Sequence, residues 1–260
     1  MLKKLLKKIK NLKSTEDFFI KIFGKFDNLL IYPKNGFTRM HVDKFMELNF
    51  LHRNTSKLKI LDVGAGEKPY KKYFTNSQYE SCDSKEALEE INLSKNQEHT
   101  FYCDITKKIP REDETYDIII CSEVFEHINE PQKAASEIYR VLKKNGEFYM
   151  TVPQCHGLHM EPHNYFNYLS FGIEYILKNA GFKKITVKAL GGIYHLLGKV
   201  LYNSTMPFFA KLDYKIRILL FIIELPIKII FMIIFIFLFH IDKIDKSQRW
   251  TINYGSKAIK

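Results

Sequence analysis

The sequence predicts an α/β fold built on an open, mostly parallel sheet, and three observations support this prediction. Short apolar runs rich in β-branched residues alternate with segments whose apolar positions recur at helical spacing. The run 116–121 is almost entirely apolar, as expected for a strand covered on both faces. A glycine turn, Gly64–Gly66, follows the first run. Ligands of such sheets bind outside the carboxyl ends of the strands, so we expect the functional residues there.

The elements follow one another through the middle of the chain. Strands are expected over 58–63, 79–83, 99–103, 116–121, 148–152 and 182–190. One helix is expected to begin near Asn129 as its N-cap, with Pro131 in its first turn, and to end before Gly146. Ser170 is expected to cap a further helix that runs to Gly181.

Composition excludes several classes of protein. Of 260 residues, 46% are hydrophobic and 27% are charged, which indicates a globular chain rather than a disordered one. The four Cys form no CxxC pair, so neither a zinc ribbon nor a disulfide scaffold is expected, and a cytoplasmic compartment fits reduced thiols. The 40 Lys and Arg against 29 Asp and Glu favour an acidic partner: nucleic acid, anionic lipid or a phosphorylated substrate.

Two segments are unusual for a soluble globular protein. Residues 1–13 (MLKKLLKKIKNLK) place an apolar stripe among lysines, which suits either an anionic membrane surface or packing on the domain. Residues 218–239 are apolar except for Glu224, Pro226 and Lys228. These charges near the middle argue against a simple membrane span. Glu224 and Lys228 are four residues apart, so they could pair on a helix. The run Ile229–Phe239 has no polar face, so membrane contact is favoured.

The glycine turn is the strongest site candidate. Gly64 and Gly66 allow the backbone to approach a ligand closely. A dinucleotide fingerprint requires a third glycine where this chain has Pro69, which argues against NAD. Asp62, two residues before the first glycine, suits a ligand that carries a positive charge.

Acidic and polar residues also end the following strands. Asp83 ends the second strand, where a carboxylate can accept both hydroxyls of a ribose. Asp104 ends the third strand and can bind an adenine amine. Ser122 and Glu123 follow the fourth strand, beside the glycine turn.

These blocks occur in the order of a known family. The segments that resemble the motifs of class I S-adenosylmethionine-dependent methyltransferases are Ile60–Gly66 (ILDVGAG), Asp83, Cys103–Ile105, Tyr116–His127, and Val141–Gly146 with Pro153 after the next strand. The resemblance covers 58–190. It implies a Rossmann-like, seven-stranded sheet with helices on both faces and an antiparallel last strand, for which 249–259 is the candidate.

The resemblance also implies S-adenosylmethionine as cofactor and gives each block a role. Gly64, Ala65 and Gly66 would pass under the methionine part, with Asp62 near its ammonium. Asp83 would hold the ribose hydroxyls, and the adenine would lie against Asp104 and Ile105. Ser122 and Glu123 would line the methionine side.

The segments Gly66–Tyr70 and Glu161–Phe166 resemble small bacterial type 11 methyltransferases associated with surface glycans. A hydroxyl acceptor benefits from a general base, for which His163 is the first candidate and His127 the second. His156 and His159 lie in the same loop as His163. Their spacing matches no common zinc motif, so no metal is expected.

We therefore expect three regions: basic and cap helices over 1–56, the methyltransferase domain over 57–195 and 247–260, and a membrane-associating insertion over 196–246. Both flanks of the apolar run are basic, which predicts that both lie on the cytoplasmic side of the membrane. A hairpin broken near Pro226, or a helix in the membrane plane, satisfies that condition.

The leading functional hypothesis is methylation of a lipid-linked or nucleotide-linked saccharide at the inner face of the cell membrane. Methylation of a lipid or quinone fits the apolar segment equally well. Modification of nucleic acid fits the charge, but no RNA-binding module is visible and the lysines cluster beside an apolar stripe, so no nucleic-acid partner is expected. A non-catalytic membrane adaptor on the same scaffold is a fourth hypothesis. The sequence does not decide the oligomeric state.

Overall fold

The computed structural model describes residues 36–90, 98–204 and 214–260. Over these residues the chain forms one seven-stranded sheet. Its strands are β1 (Lys59–Val63), β2 (Gln78–Asp83), β3 (Phe101–Tyr102), β4 (Tyr116–Ser122), β5 (Leu142–Pro153), β6 (Lys183–Leu190) and β7 (Asn253–Ile259). The prediction of an amphipathic helix over 1–13 lies outside the described residues.

The strands lie in the order β3-β2-β1-β4-β5-β7-β6. The pairs from β3 to β5 are parallel, whereas β7 is antiparallel to both of its neighbours, β5 and β6. The prediction of a mostly parallel sheet with an antiparallel last strand is therefore confirmed. Because β7 lies between β5 and β6, the chain must return to the sheet after the apolar segment.

Helices cover both faces of this sheet. They are α1 (Gly36–Phe50), α2 (Lys85–Glu90), α3 (Pro131–Val141), α4 (Ser170–Asn179), α5 (Ile193–Ser204) and α6 (Tyr214–Ile241). Alternate residues of β4 face opposite sides: Ile119 belongs to the cluster that contains α3 and α4, and Ile118 and Ile120 belong to the cluster that contains α1. Each face is thus buried, which explains why this strand is almost entirely apolar.

The helix ends differ from the predictions. The N-cap of α3 is Glu130 rather than Asn129, and no side chain caps it, although Pro131 does stand in the first turn. The helix ends at Val141 because Leu142 is already extended, so Gly146 lies in a bulge of β5 rather than at a helix end. The N-cap of α4 is Leu169, not Ser170.

The apolar segment forms one helix rather than two. α6 continues through Pro226, so the hairpin broken at that residue was a wrong prediction. Proline removes one backbone hydrogen bond, but the long apolar flanks continue the helix on either side. α6 packs against α5 and buries Met232 and Phe235. Among the helices that the structure describes, none combines the length and the hydropathy needed to cross a membrane.

Candidate active site

A cavity of about 370 Å³ opens at the carboxyl ends of β1, β2, β3 and β4. Its volume lies in the range of about 300–1,000 Å³ that is usual for small-molecule and cofactor sites. The predicted site residues that line it are Gly64, Gly66, Asp83, Asp104, Ile105, Glu123, His127 and His163. The rule that ligands bind beyond the strand ends therefore placed most of the predicted site residues at this one cavity.

The turn after β1 depends on two glycines in the left-handed region, with φ of +63° at Gly64 and +47° at Gly66. A Cβ on Gly64 would lie 2.3 Å from a methyl carbon of Val124, so only glycine lets this turn pack against the end of β4. A Cβ on Gly66 would meet nothing within 4 Å. Because Gly66 lines the cavity, this open side leaves its backbone accessible to a ligand.

Asp83 joins the ends of β1 and β2. Its Oδ2 accepts the Gly66 amide at 2.9 Å and its Oδ1 accepts the Ser84 amide at 2.8 Å. Burial raises the pKa of Asp83, and these two backbone donors offset the effect only in part. Each carboxylate oxygen can accept a second hydrogen bond, so the side chain still has acceptors for ribose hydroxyls.

Asp104 and Ile105 form the far wall beyond β3. Asp104 Oδ1 accepts hydrogen bonds from the amide and the hydroxyl of Thr106, at 2.9 and 2.7 Å. Burial opposes ionisation of Asp104, but these bonds outweigh it and lower the pKa. The nearly buried Ile105 adds an apolar surface beside the carboxylate. A carboxylate next to an aliphatic side chain suits a base that carries an exocyclic amine.

Glu123 is the acidic residue on the β4 side of the cavity. Its backbone is left-handed, with φ of +57°, and its Oε2 accepts a hydrogen bond from Asn253 Nδ2 at 2.7 Å. Burial raises the pKa of Glu123, while the charges of Arg39 and Lys199 oppose the rise. Its Oε1 is buried and has no hydrogen-bond partner among the described residues. An acceptor of this kind fits the ammonium of a methionine moiety.

Three predicted contacts are not supported by the geometry. Asp62 is 2% exposed and accepts a hydrogen bond from the Tyr79 hydroxyl at 2.6 Å, so its carboxylate does not reach the cavity wall. Side chains alternate along a strand, and the neighbour Val63 faces the cavity instead. The Ser122 hydroxyl forms a hydrogen bond with the Thr151 hydroxyl at 2.8 Å. Ala65 is buried in the turn. These residues support the floor of the site from behind.

The two predicted bases stand on the same wall. His127 Nδ1 donates to the backbone carbonyl of His163 at 2.6 Å, which leaves Nε2 as the acceptor of that ring. Burial lowers the pKa of His127, so the ring is neutral at physiological pH. The Nδ1 of His163 lies 3.1 Å from the Tyr165 hydroxyl, and Tyr165 also lines the cavity. The geometry allows either base, and their roles stay predictions.

Some of the lining had no sequence signal. Met160 comes from the loop after β5 and is an isolated residue without a motif. Asn129 lines the cavity instead of capping α3. Outside the lining, Glu126 and His159 lie beside His127, with one ligand atom of each residue within 4.8 Å of the others. No spacing rule detects this group, because its members come from two separate segments.

Comparison with known proteins shows what this arrangement is similar to. Residues 61–150 match the family described as a methyltransferase domain. A SAM-dependent methyltransferase from Archaeoglobus fulgidus superposes with a TM-score of 0.53 at 14% identity, over 92% of this chain and 100% of that one. The [4+2]-cyclase SpnF superposes with a TM-score of 0.50 at 14% identity, over 88% of this chain and 82% of that one. No curated protein matches the sequence.

A third solved structure is phosphoethanolamine N-methyltransferase 2 from Haemonchus contortus in complex with S-adenosyl-L-methionine. It has a TM-score of 0.49 at 20% identity and covers 96% of this chain and 61% of that one. At these identities, the first two superpositions show the fold alone. The family match covers residues 61–150, the part of the chain that holds most of the cavity lining.

We predict that Asp83→Ala weakens binding of S-adenosylmethionine by about 100-fold or more, because two hydrogen bonds from ribose hydroxyls to a carboxylate are lost. Calorimetric titration measures the affinity, and circular dichroism checks the fold. Asp113→Ala is the matched control, since it removes an exposed carboxylate outside the cavity lining. Equal affinities of the two variants would contradict the placement of the ribose.

We predict that Asp62→Asn stabilises the protein increasingly as pH rises. Burial raises the pKa of Asp62 from 3.8 to about 7, with the Tyr79 hydrogen bond opposing the rise. Above pH 4 the unfolded chain releases this proton while the folded chain keeps it, so stability falls between pH 4 and pH 7, by up to about 4 kcal/mol.

Asparagine mimics the protonated carboxyl group and accepts the same hydrogen bond. It carries no proton to release, so the variant does not lose stability between pH 4 and pH 7 in this way. Urea denaturation of both proteins between pH 4.5 and 8 measures the difference in free energy of unfolding. A difference that stays constant with pH would show that Asp62 is ionised in the folded state.

Proposed function

We propose that this chain, an S-adenosylmethionine-dependent methyltransferase, methylates a saccharide carried on a lipid or nucleotide at the cytoplasmic face of a membrane. The observation that carries methyl transfer is the cavity in which Gly66, Asp83 and Glu123 present a backbone approach, hydroxyl acceptors and a buried acceptor for a cation. The acceptor and the membrane rest on separate observations, given below.

S-adenosylmethionine supplies a methyl group on a sulfonium, which is already an activated electrophile, so alignment accounts for much of the rate. The residues that would hold it are Gly64 and Gly66, Asp83, Glu123, and the pair Asp104 and Ile105. These groups come from the ends of four neighbouring strands, which fixes their relative positions. The protein's contribution is to hold the acceptor in line.

To accept the methyl group that the cofactor would supply, an acceptor hydroxyl would have to give up its proton to a base. His163 is the proposed acceptor of that proton, because it lines the cavity and its ring is partly open to solvent. Its carbonyl is held by His127, which positions the loop as well as offering a second base. The proton then passes to solvent.

Exposed aromatic rings support a saccharide as the acceptor. Tyr165 is 44% exposed and Phe166 40% exposed, and Tyr165 belongs to the cavity wall. Flat rings at the mouth of a polar cavity suit a ligand that has both C–H faces and hydroxyl groups, as a sugar ring does. The resemblance of 161–166 to glycan-associated methyltransferases adds to this support.

The apolar surface of α6 supports membrane contact. Its exposed side chains are Ile227, Ile229, Ile230, Ile233 and Phe237. The helix is followed by Lys243, Lys246 and Arg249. Contiguous apolar side chains bordered by cations fit the interface of an anionic bilayer. This surface fits methylation of a lipid or quinone equally well, so that function is the second candidate.

We predict that the full chain transfers a labelled methyl group from S-adenosylmethionine into the saccharide-containing fraction of bacterial membranes. His163→Ala should lower the rate by about 10²–10⁴-fold, the usual contribution of a general base, and leave cofactor affinity unchanged. His52→Ala, an exposed histidine after α1, is the matched control. Label confined to a sugar-free lipid or quinone would favour the second candidate. Cofactor binding without transfer to any fraction would favour the adaptor.

We also predict that the protein sediments with anionic vesicles and not with zwitterionic ones. Replacing Ile230 and Phe237 together by serine should weaken this binding by about 100-fold or more, because each large apolar side chain contributes about 1.5–3 kcal/mol when buried. Leu48→Ser, an exposed apolar residue on α1, is the matched control. Equal binding of the double variant and the control would rule out α6 as the contact.

A further inference from the structure

A second group of metal-ligating side chains lies outside the cavity lining. His41 is on α1, His195 is in the first turn of α5, and Asp242 begins the short 3₁₀ turn after α6. One ligand atom from each lies within 4.8 Å of the others. The three elements are far apart in sequence, since His41 and His195 are separated by 154 positions. Nothing in the proposed methyl transfer uses these residues.

We propose that His41, His195 and Asp242 bind a divalent transition-metal ion of the Zn²⁺ class. Two imidazole nitrogens and one carboxylate oxygen form a donor set that Zn²⁺ prefers. Three protein ligands leave the fourth tetrahedral position to water. The ion would join α1, α5 and the end of α6 at one point.

The two rings already converge on a common point. His41 Nε2 lies 2.7 Å from His195 Nδ1. A hydrogen bond between ring nitrogens requires a lone pair on one of them, so at least one ring is neutral, the form that binds metals. Ligands of a tetrahedral Zn²⁺ at about 2.0 Å lie ~3.3 Å apart, so a few tenths of an ångström of side-chain movement would replace the shared proton by an ion.

The carboxylate is held by a second layer of contacts. Asp242 Oδ2 accepts the Gly192 amide at 2.7 Å, and its Oδ1 accepts the His195 amide at 2.9 Å. Each oxygen keeps a further lone pair for a metal. Fixed outer contacts of this kind orient the ligands of metal sites.

The side chains around the cluster are closely fitted. The ring of Phe239 lies 5.9 Å from that of His41 and 5.2 Å from that of His195. A Cβ on Gly191 would lie 3.1 Å from the His41 ring, and one on Gly192 would lie 2.7 Å from Asp242 Oδ1. The two consecutive glycines therefore leave room for the cluster.

The test uses the full chain without a polyhistidine tag, stripped of metal by a chelator and titrated with ZnCl₂ in a calorimeter. We expect one equivalent to bind and the melting temperature to rise. His41→Gln and Asp242→Asn should each weaken binding by about 100-fold or more. Asparagine keeps one of the two acceptors that Asp242 offers to backbone amides, so the melting temperature of each variant in chelator is measured as well, and zinc should raise it less than in the wild type.

His159→Gln is the matched control, because His159 belongs to the other three-residue cluster found among the described residues, with Glu126 and His127. If this variant loses the metal and His41→Gln retains it, the proposal is wrong. Absence of zinc binding, or a Co²⁺ derivative whose spectrum shows thiolate ligation, would also overturn it. Affinity for S-adenosylmethionine should be the same in all variants, so failure here leaves the methyltransferase function intact.

Discussion

The site depends on the close approach between the turn after β1 and the end of β4. With a side chain at Gly64, Val124 would have to move, and the two strand ends would separate. With glycine there, the turn folds back so that the Gly66 amide reaches Asp83 at the end of β2. One steric condition thus brings three strand ends to the same cavity.

A second constraint is electrostatic. Asp62, Asp83, Glu123 and Glu126 lie at or behind this edge of the sheet, and burial raises the pKa of each of them. Gathering carboxyl groups in a poorly solvated place destabilises the fold unless a positive charge joins them. S-adenosylmethionine carries both a sulfonium and an ammonium, so its binding would relieve this cost. Shifted pKa values of buried acids are common where function opposes stability.

Sequence reasoning succeeded where a local pattern has one physical cause. Runs of β-branched residues predicted the strands, and the rule for strand ends placed most of the predicted site residues at one cavity. It failed where tertiary contacts decide. Asn129 has the chemistry of an N-cap but lines the cavity, and Asp62 is turned to the opposite face by the alternation of its strand. Nor does any spacing rule connect His41 with His195 or Asp242, because the fold alone brings them together.

The apolar helix and the cofactor cavity are linked through β7. In the sequence, α6 lies between β6 and β7. In the sheet, β7 pairs with both β5 and β6. The first residue of β7, Asn253, donates to Glu123 at 2.7 Å. Thr251, two residues earlier, donates its hydroxyl to the carbonyl of Gly191, and Asp245 accepts the amide of Ile193 at the start of α5. If α6 contacts a membrane as proposed, these contacts would also set how the mouth of the cavity faces that membrane.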